Sequence, residues 1–280
     1  MPEKQEKIGQ FEPVHAAHAI EQVVFVLKFE RPLEEAQFMR VLRVAERFNR
    51  ELPNKTPILG ISFVVGPDSK NPPSPIPTTL KGTSFKRPGV DGGFTHELNV
   101  ETDALTFRIT LYSRWDAIWQ EADKYFSSLI ELYAEQARLL TISINYVDKF
   151  VWSGNIDKCR PSALLRAGSK YICPHVYDIN ELWHSHTGAF IRLDSHTRRL
   201  LNVNIDSLDE NLAEGSRRVV LVTTILNDQL NQYGYEESRI SPEVIVDYIN
   251  QRMQDLHGFG KDVLREIIND EMCRRIALIE

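Results

Sequence analysis

The chain has 280 residues, a formal net charge of −6 and 26% charged residues, and 42% of its residues are hydrophobic. This composition is typical of soluble globular proteins and excludes a disordered or fibrous chain. The acidic balance also argues against a protein whose whole surface binds nucleic acid, because phosphate neutralisation needs an excess of lysine and arginine, although local basic patches stay open.

The cysteines and the N-terminal segment indicate where the protein resides. Cys159, Cys173 and Cys273 have no metal-like spacing, which argues against a disulfide framework and against a thiolate zinc site. Residues 1–13 lack the apolar stretch of a secretory signal, and no run approaches the ~18 apolar residues of a membrane span. We therefore expect a cytoplasmic protein without a membrane span.

The first 65 residues alternate between strand-like and helix-like patterns. The run 22–29 is short and rich in valine and phenylalanine, which predicts a strand. Apolar residues at helical spacing predict a helix over 33–51, and a second apolar run predicts a strand over 58–65.

The composition changes over 66–93, where six prolines lie among glycine, serine, threonine and lysine. A packed element is not expected from such a stretch, because proline and glycine interrupt regular structure. We predict a long exposed loop, of a length that is often functional.

Residues 94–151 carry the clearest periodicities. Alternation predicts strands over 94–100 and 105–112, and an apolar run predicts a strand over 139–151. Between them, apolar and aromatic residues recur at helical spacing over 115–137, which predicts one helix of about six turns. An aromatic stripe at this spacing is typical of core packing.

The second half begins where regular patterns fail, near residue 155. Strands are predicted over 175–177, 182–193, 200–208 and 219–226. A helix then begins with Ser241 as its N-cap and Pro242 at its first position, and Gly258 and Gly260 are expected to separate it from a second helix over 263–278.

These elements predict an α+β fold of mostly antiparallel sheets with helices packed on one face. The chain is expected to form two halves of similar size. Residues 1–155 form an N-terminal α+β domain with the proline-rich loop 66–93, and residues 156–280 form a C-terminal α+β domain that ends in a helix pair.

Four segments resemble a known family: VVFVLKFERPL, RWDAIWQEADKYFSSLIELY, ISINYVDKF and SPEVIVDYINQRMQDLHGFGKDVLREII. They are similar to a widespread, sporadically distributed family of uncharacterised prokaryotic proteins. The chain departs from that family at 144–148, where an Arg-Tyr-Ile-Asn element is replaced by Ile-Asn-Tyr-Val-Asp. The resemblance implies no catalytic residues. The family occurs in scattered organisms, which is typical of genes that move horizontally, such as accessory and phage-defence genes.

Common catalytic and nucleotide-binding motifs are absent from the sequence. It contains no Walker A loop, no G-x-G-x-x-G after a strand, no G-x-S-x-G elbow and no H-E-x-x-H. No cofactor is therefore predicted, apart from a divalent metal at the histidines described next.

The stretch LWHSHTG places His184 and His186 on one face of a predicted strand. Aligning the apolar rows of this strand and the next, with a three-residue loop, pairs 191 with 201 and sets His186 opposite Asp206. His184, His186 and Asp206 would then form a metal site or an acid-base pair, since imidazole and carboxylate serve both roles. The same arrangement of residues is equally typical of a solvent-exposed sheet face without a function.

Three arginine dipeptides could form an anion-binding patch: Arg198-Arg199, Arg217-Arg218 and Arg274-Arg275. The first two are the candidate anion-binding residues. If these arginines lay on one surface, they would favour binding of phosphate or nucleic acid. Runs of charged residues more often belong to solvent-exposed faces without such a role.

The sequence does not decide whether the protein is an enzyme, and it favours a protein without enzymatic activity. The preferred hypothesis is a non-enzymatic, protein-binding sensor, adaptor or regulator of an accessory system such as phage defence, whose partner is encoded nearby and which can also self-associate. The alternatives are a metal-dependent hydrolase or nuclease using His184, His186 and Asp206, and a nucleic-acid-binding protein using the arginine pairs.

Overall fold

The computed structural model describes residues 9–60, 79–212, 215–230 and 242–279. These residues have an α+β fold with ten antiparallel strands and five α-helices. The strands are β1 Phe11–Pro13, β2 Ile20–Phe29, β3 Asn54–Gly60, β4 Thr79–Pro88, β5 Phe94–Glu101, β6 Ala104–Ile109, β7 Leu139–Trp152, β8 Trp183–Arg192, β9 Arg198–Leu212 and β10 Gly215–Gln229. The helices are α1 Glu35–Ala45, α2 Trp115–Ser127, α3 Ile130–Ala134, α4 Pro242–Ile267 and α5 Asp270–Arg275.

Hydrogen bonds connect the strands in the order β3-β4-β5-β6-β2-β7-β10-β9-β8, and β1 also pairs with β7. Consecutive strands form hairpins from β3 to β6 and from β8 to β10. Strands β3 and β8 therefore end the order, and each pairs with one neighbour among the described residues. No helix among those residues is long and apolar enough to cross a membrane.

The chain divides into two compact units. One comprises Met1–Val24, Ile142–Glu236 and Ile249–Glu280, and the other comprises Phe25–Thr141 and Glu237–Tyr248. Neither unit begins or ends at residue 155. The division of the chain into two domains at that residue stays a prediction.

The second unit has an aromatic core, as the stripe over 115–137 predicts. The ring of Phe25 lies 5.3 Å from that of Trp119, and Phe107 packs edge-on against Tyr125 at 5.0 Å. The Phe29 ring stacks on that of Tyr133 at 4.5 Å. The aromatic residues of this stripe are therefore core residues.

The predicted single helix over 115–137 is two helices, α2 and α3. Where α2 ends, the hydroxyl of Ser127 donates to the carbonyl oxygen of Asp123 at 2.6 Å, and that of Ser128 to Lys124 at 2.7 Å. Such bonds compete with the helical ladder and bend helices. Leu129 N–H then bonds to Phe126 at the shorter spacing of a 3₁₀ turn, which separates the two helices.

The predicted loop 66–93 is wrong for residues 79–88, which form strand β4, whereas residues 66–78 lie outside the described residues. β4 pairs with β3 on one side and β5 on the other, and it buries Phe85 completely. Its only proline, Pro88, is the last residue of the strand, where a missing N–H is tolerated. The prolines before residue 79 thus led to a loop prediction that wrongly included the internal strand β4.

Two further predictions in the second half are wrong. Residues 175–177 lie in a 3₁₀ turn, Pro174–Asp178, because Pro174 fixes a φ angle suited to a helical turn. Helix α4 runs unbroken through both glycines. A Cβ at position 260 would lie 3.3 Å from the Tyr146 ring, so Gly260 serves close packing of the helix rather than ending it. The predicted N-cap Ser241 lies outside the described residues.

A buried ion cluster joins α4 to the β9–β10 hairpin. The carboxylate of Asp228, which is 0% exposed, accepts two bonds from Arg199 at 2.7 and 2.9 Å and one from Arg252 at 2.5 Å. The Arg199 guanidinium also lies 5.0 Å from the centre of the Phe259 ring. One buried carboxylate therefore balances two arginines, and its removal would leave both without their counter-ion.

We expect Asp228→Ala to lower the free energy of unfolding by roughly 3 to 5 kcal/mol, the usual cost of leaving buried charges unpaired. Urea unfolding monitored by circular dichroism measures it. Asp262→Ala, which removes the 65% exposed partner of Arg265, is the matched control and should change little. Equal losses in the two variants would contradict the role given to Asp228.

Candidate functional site

The β8–β9 hairpin carries the histidines, and its register differs from the predicted one. His184 is the partner of Asp206, and His186 is the partner of Asn204. The prediction that His186 faces Asp206 is therefore wrong by two residues. The predicted register still puts the apolar side chains of both strands on the same face of the hairpin, as in the structure, because a shift of two residues keeps every side chain on its face.

The turn explains this difference in register. The carboxylate of Asp194 accepts the N–H groups of His196 and Thr197, both at 2.7 Å, and Leu193 N–H donates to Thr197 at 3.0 Å. Although burial opposes it, these N–H donors keep the pKa of Asp194 below its usual value. The chain therefore turns around Asp194-Ser195-His196, one residue earlier than predicted.

The two faces of β8 differ in burial as the alternation predicts, but only over the first half of the strand. Trp183 and Ser185 are buried while His184 and His186 are exposed. Ala189 is exposed, although the pattern predicts it as core.

The structure brings together two of the three predicted ligands, His184 and Asp206, and separates His186 from them by one register step. Among the described residues, no group of three or more histidine, cysteine, aspartate or glutamate side chains has a geometry that could hold a metal ion. The hairpin thus offers an exposed histidine beside a half-buried aspartate.

The arginine pairs do not converge. Arg198 pairs with Gln229 in the β9–β10 ladder, and Arg217 lies twelve residues from Gln229 along β10, roughly 40 Å at the usual rise of a strand. Three of the arginines bind carboxylates: Arg199 binds Asp228, Arg217 binds Glu210 and Arg218 binds Asp209. The fourth, Arg198, donates its Nε–H to Gln229 and stacks on Phe190.

A polar cluster that the sequence did not reveal lies on β4, β5 and α2. Arg87 donates to Glu121 at 2.8 Å and to Nδ1 of His96 at 3.3 Å. Because a guanidinium only donates, Nδ1 accepts, and the Nε2–H faces the other Glu121 oxygen at 3.3 Å. Partial burial would raise the pKa of Glu121, but the hydrogen bonds of His96 and Arg87 and the charge of Arg87 lower it to about 2.

This cluster has the chemistry of a histidine oriented by a carboxylate, yet it is closed to substrates. His96 is only 6% exposed, and both of its ring nitrogens already face protein groups. The nearby hydroxyl of Tyr125, which is fully buried, donates to Glu51 at 2.9 Å. We therefore assign the cluster to holding α2 on the sheet. Since Arg87 lies in the stretch predicted as a loop, no sequence signal pointed to it.

A second missed group is Asp148 in the middle of β7. It is buried, and its Oδ1 has no hydrogen-bond partner among the described residues. Its neighbour Lys149 faces the opposite side of the strand, where it pairs with Glu21 and Glu210. With no compensating charge, burial raises the pKa of Asp148 to about 7.

We expect Asp148 to make the stability of the protein depend on pH. The pKa is raised from 3.8 to about 7, so the folded state keeps a proton that the unfolded state loses. The free energy of unfolding should therefore fall between about pH 4 and pH 7, by up to about 4 kcal/mol.

Asp148→Asn should remove this fall, because the amide does not titrate. Urea unfolding of both proteins across this pH range measures the difference, in which the contributions of all other groups cancel. The variant should match the wild type near pH 4 and be more stable at pH 7. Parallel pH profiles would contradict the raised pKa.

Comparison with known proteins does not assign this chain to a family. The chain matches no protein-family model and no curated protein. The candidate surface is therefore defined by its own residues, the exposed strand β8 and its hairpin partner β9.

Proposed function

We propose that the protein is a non-enzymatic binding module, a sensor, adaptor or regulator in a cytoplasmic accessory system such as phage defence. The observation that carries the proposal is the exposed edge strand β8, ten residues long and paired with β9 alone among the described residues. Edge strands that remain open are ready templates for another chain.

Exposed apolar side chains on the hairpin support the same function. Phe190 is 59% exposed, and Leu208 and Leu212 are also exposed. Phe190 is the partner of Leu200, so all three belong to the same face of the hairpin. Leu208 and Leu212 lie roughly 26 and 40 Å from Leu200 along β9, so the contact surface is centred on Phe190. The Arg198 guanidinium lies 4.5 Å from the centre of the Phe190 ring, and aromatic and arginine side chains are the residues most often found at binding hot spots.

The α4 contacts support the proposal that the helices pack on one face of the sheet. Tyr146 bonds to His257, and Asp228 bonds to Arg252, and both helix residues belong to α4. Asp228 and its partner Arg199 are buried, whereas the residues next to them in sequence are half-buried. A sheet arranged in this way keeps its other face for contacts.

The alternative functions receive less support from the geometry. A hydrolase would need a third ligand beside His184 and Asp206, and His186 faces Asn204 instead. A nucleic-acid interface would need arginines on one surface, whereas these pairs lie at opposite ends of a ladder and mostly bind carboxylates. The family resemblance fits the accessory role, because it implies a sporadic distribution and no catalytic residues.

The proposal is tested by affinity capture from host cells, with and without phage infection. We expect the wild-type chain to recover a stoichiometric partner and Phe190→Asp to lose it, because a charge there disrupts the contact surface. Met39→Asp is the matched control, since Met39 is a similarly exposed apolar residue on α1. Recovery of no partner under either condition, or equal recovery by Phe190→Asp, would contradict the proposal.

A further inference from the structure

We infer that β8 binds its partner by strand addition, accepting an extended acidic segment of another protein along its open edge. The inference rests on the proposed protein-binding function and names its mode and the chemistry of the partner. In this mode main-chain hydrogen bonds provide affinity, and alternate side chains provide specificity.

The hairpin geometry identifies the backbone groups that face the open edge. Leu193 N–H donates to Thr197, so these two residues form a hydrogen-bonded pair at the end of the hairpin. Such pairs recur at every second residue of an antiparallel ladder, and the β8–β9 register runs without a shift. Odd-numbered residues of β8 therefore bond to β9. The outward N–H and C=O groups belong to His184, His186, Gly188, Phe190 and, at the end of the strand, Arg192.

The edge lacks the features that usually block strand addition. Proteins protect edge strands with proline, with charged side chains, of which lysine is the most common, with bulges, or with a covering helix or loop. At the other end of the strand order, β3 has Lys55, Pro57 and a register shift after Ile58. β8 has no proline, no lysine, no acidic residue and no register shift. The sequence of β8 therefore does little to block its outward backbone groups, since its one arginine, Arg192, is the last residue of the strand.

The charges beside the edge favour an acidic partner. Arg192 ends β8, and its partner Arg198 begins β9 beside the Phe190 ring. The nearest acid of the turn, Asp194, accepts two backbone N–H groups, and Asp206 lies at the far end beside His184. An extended segment with carboxylates near the Phe190 end would be attracted by the positive charge of the two arginines.

The same charges disfavour a second copy of this chain as the occupant. Two antiparallel β8 strands would set the Arg192 end of one against the His184 end of the other. Because β8 carries no acidic residue, the carboxylate nearest to each Arg192 would be Asp206, which lies one strand further in on β9, whereas an acidic segment places its carboxylates on the neighbouring strand itself.

The test measures binding of a fluorescent peptide of alternating valine and aspartate, as long as β8, to the full chain by anisotropy. A peptide of alternating valine and lysine is the charge control. The protein variants are His186→Pro, which removes one outward N–H, and His186→Ala, which removes the imidazole and keeps that N–H. Proline is tolerated at such outward positions of edge strands, and thermal unfolding confirms that the variant is folded.

We expect the aspartate peptide to bind the wild type and His186→Ala within about twofold, and His186→Pro at least about tenfold more weakly. The lysine peptide should bind the wild type at least about tenfold more weakly than the aspartate peptide. If His186→Pro is unfolded, N-methylation of the peptide replaces it. Methylation at every second residue should then abolish binding in one phase of the alternation and spare it in the other.

Four results would overturn the inference: no binding of the aspartate peptide at millimolar concentration, equal binding by His186→Pro or by both methylation phases, equal binding of the lysine peptide, and β8-dependent dimerisation in sedimentation. Failure of this mode is distinguishable from failure of the function. A captured partner that His186→Pro retains would leave protein binding intact, whereas capture of no partner would reject the function whatever the peptide does.

Discussion

The carboxylate of Asp194 fixes the position of β8, and the properties of the candidate surface depend on it. By accepting the N–H groups of His196 and Thr197, it closes the turn and sets Leu193 opposite Thr197. That pair determines which residues of β8 bond to β9 and which face outward. A short polar side chain that bonds to its own backbone two and three residues on thus decides what the edge strand presents.

The hairpin is held from the other side by buried charge. β9 begins with Arg198 and Arg199, of which the first stacks on the exposed Phe190 and the second binds the buried Asp228. Asp228 is in turn bound by Arg252 of α4. One dipeptide therefore joins the outer surface of the hairpin to its core, because alternation sends consecutive side chains to opposite faces. The arginines that suggested an anion site are structural in three of the four cases.

Much of the fold could be predicted from the sequence, since hydrophobic periodicity is a local signal. The strand over 22–29, the aromatic stripe after Trp115 and the faces of the first half of β8 follow from it. Two of the failures arose where tertiary contacts override local patterns. β4 is a strand because it has partners on both sides, and α4 continues through Gly260 because Tyr146 packs there.

The site was predictable only in part, because hydrophobic periodicity encodes neither side-chain hydrogen bonds nor burial. Alternation placed His184 and His186 on the exposed face, but the register depended on a turn bond that the apolar pattern does not encode. Asp148 and the His96–Glu121 cluster depend on burial and on residues distant in sequence, so no local motif marks them.

The central claim, that alternate backbone groups of β8 face outward, is tested most directly by amide hydrogen exchange of the free protein measured by NMR. We expect rapid exchange for His184, His186, Gly188 and Phe190, and protection of at least about a hundredfold for Ser185, Thr187, Ala189 and Ile191. Equal protection of the two sets, or the reverse pattern, would contradict it.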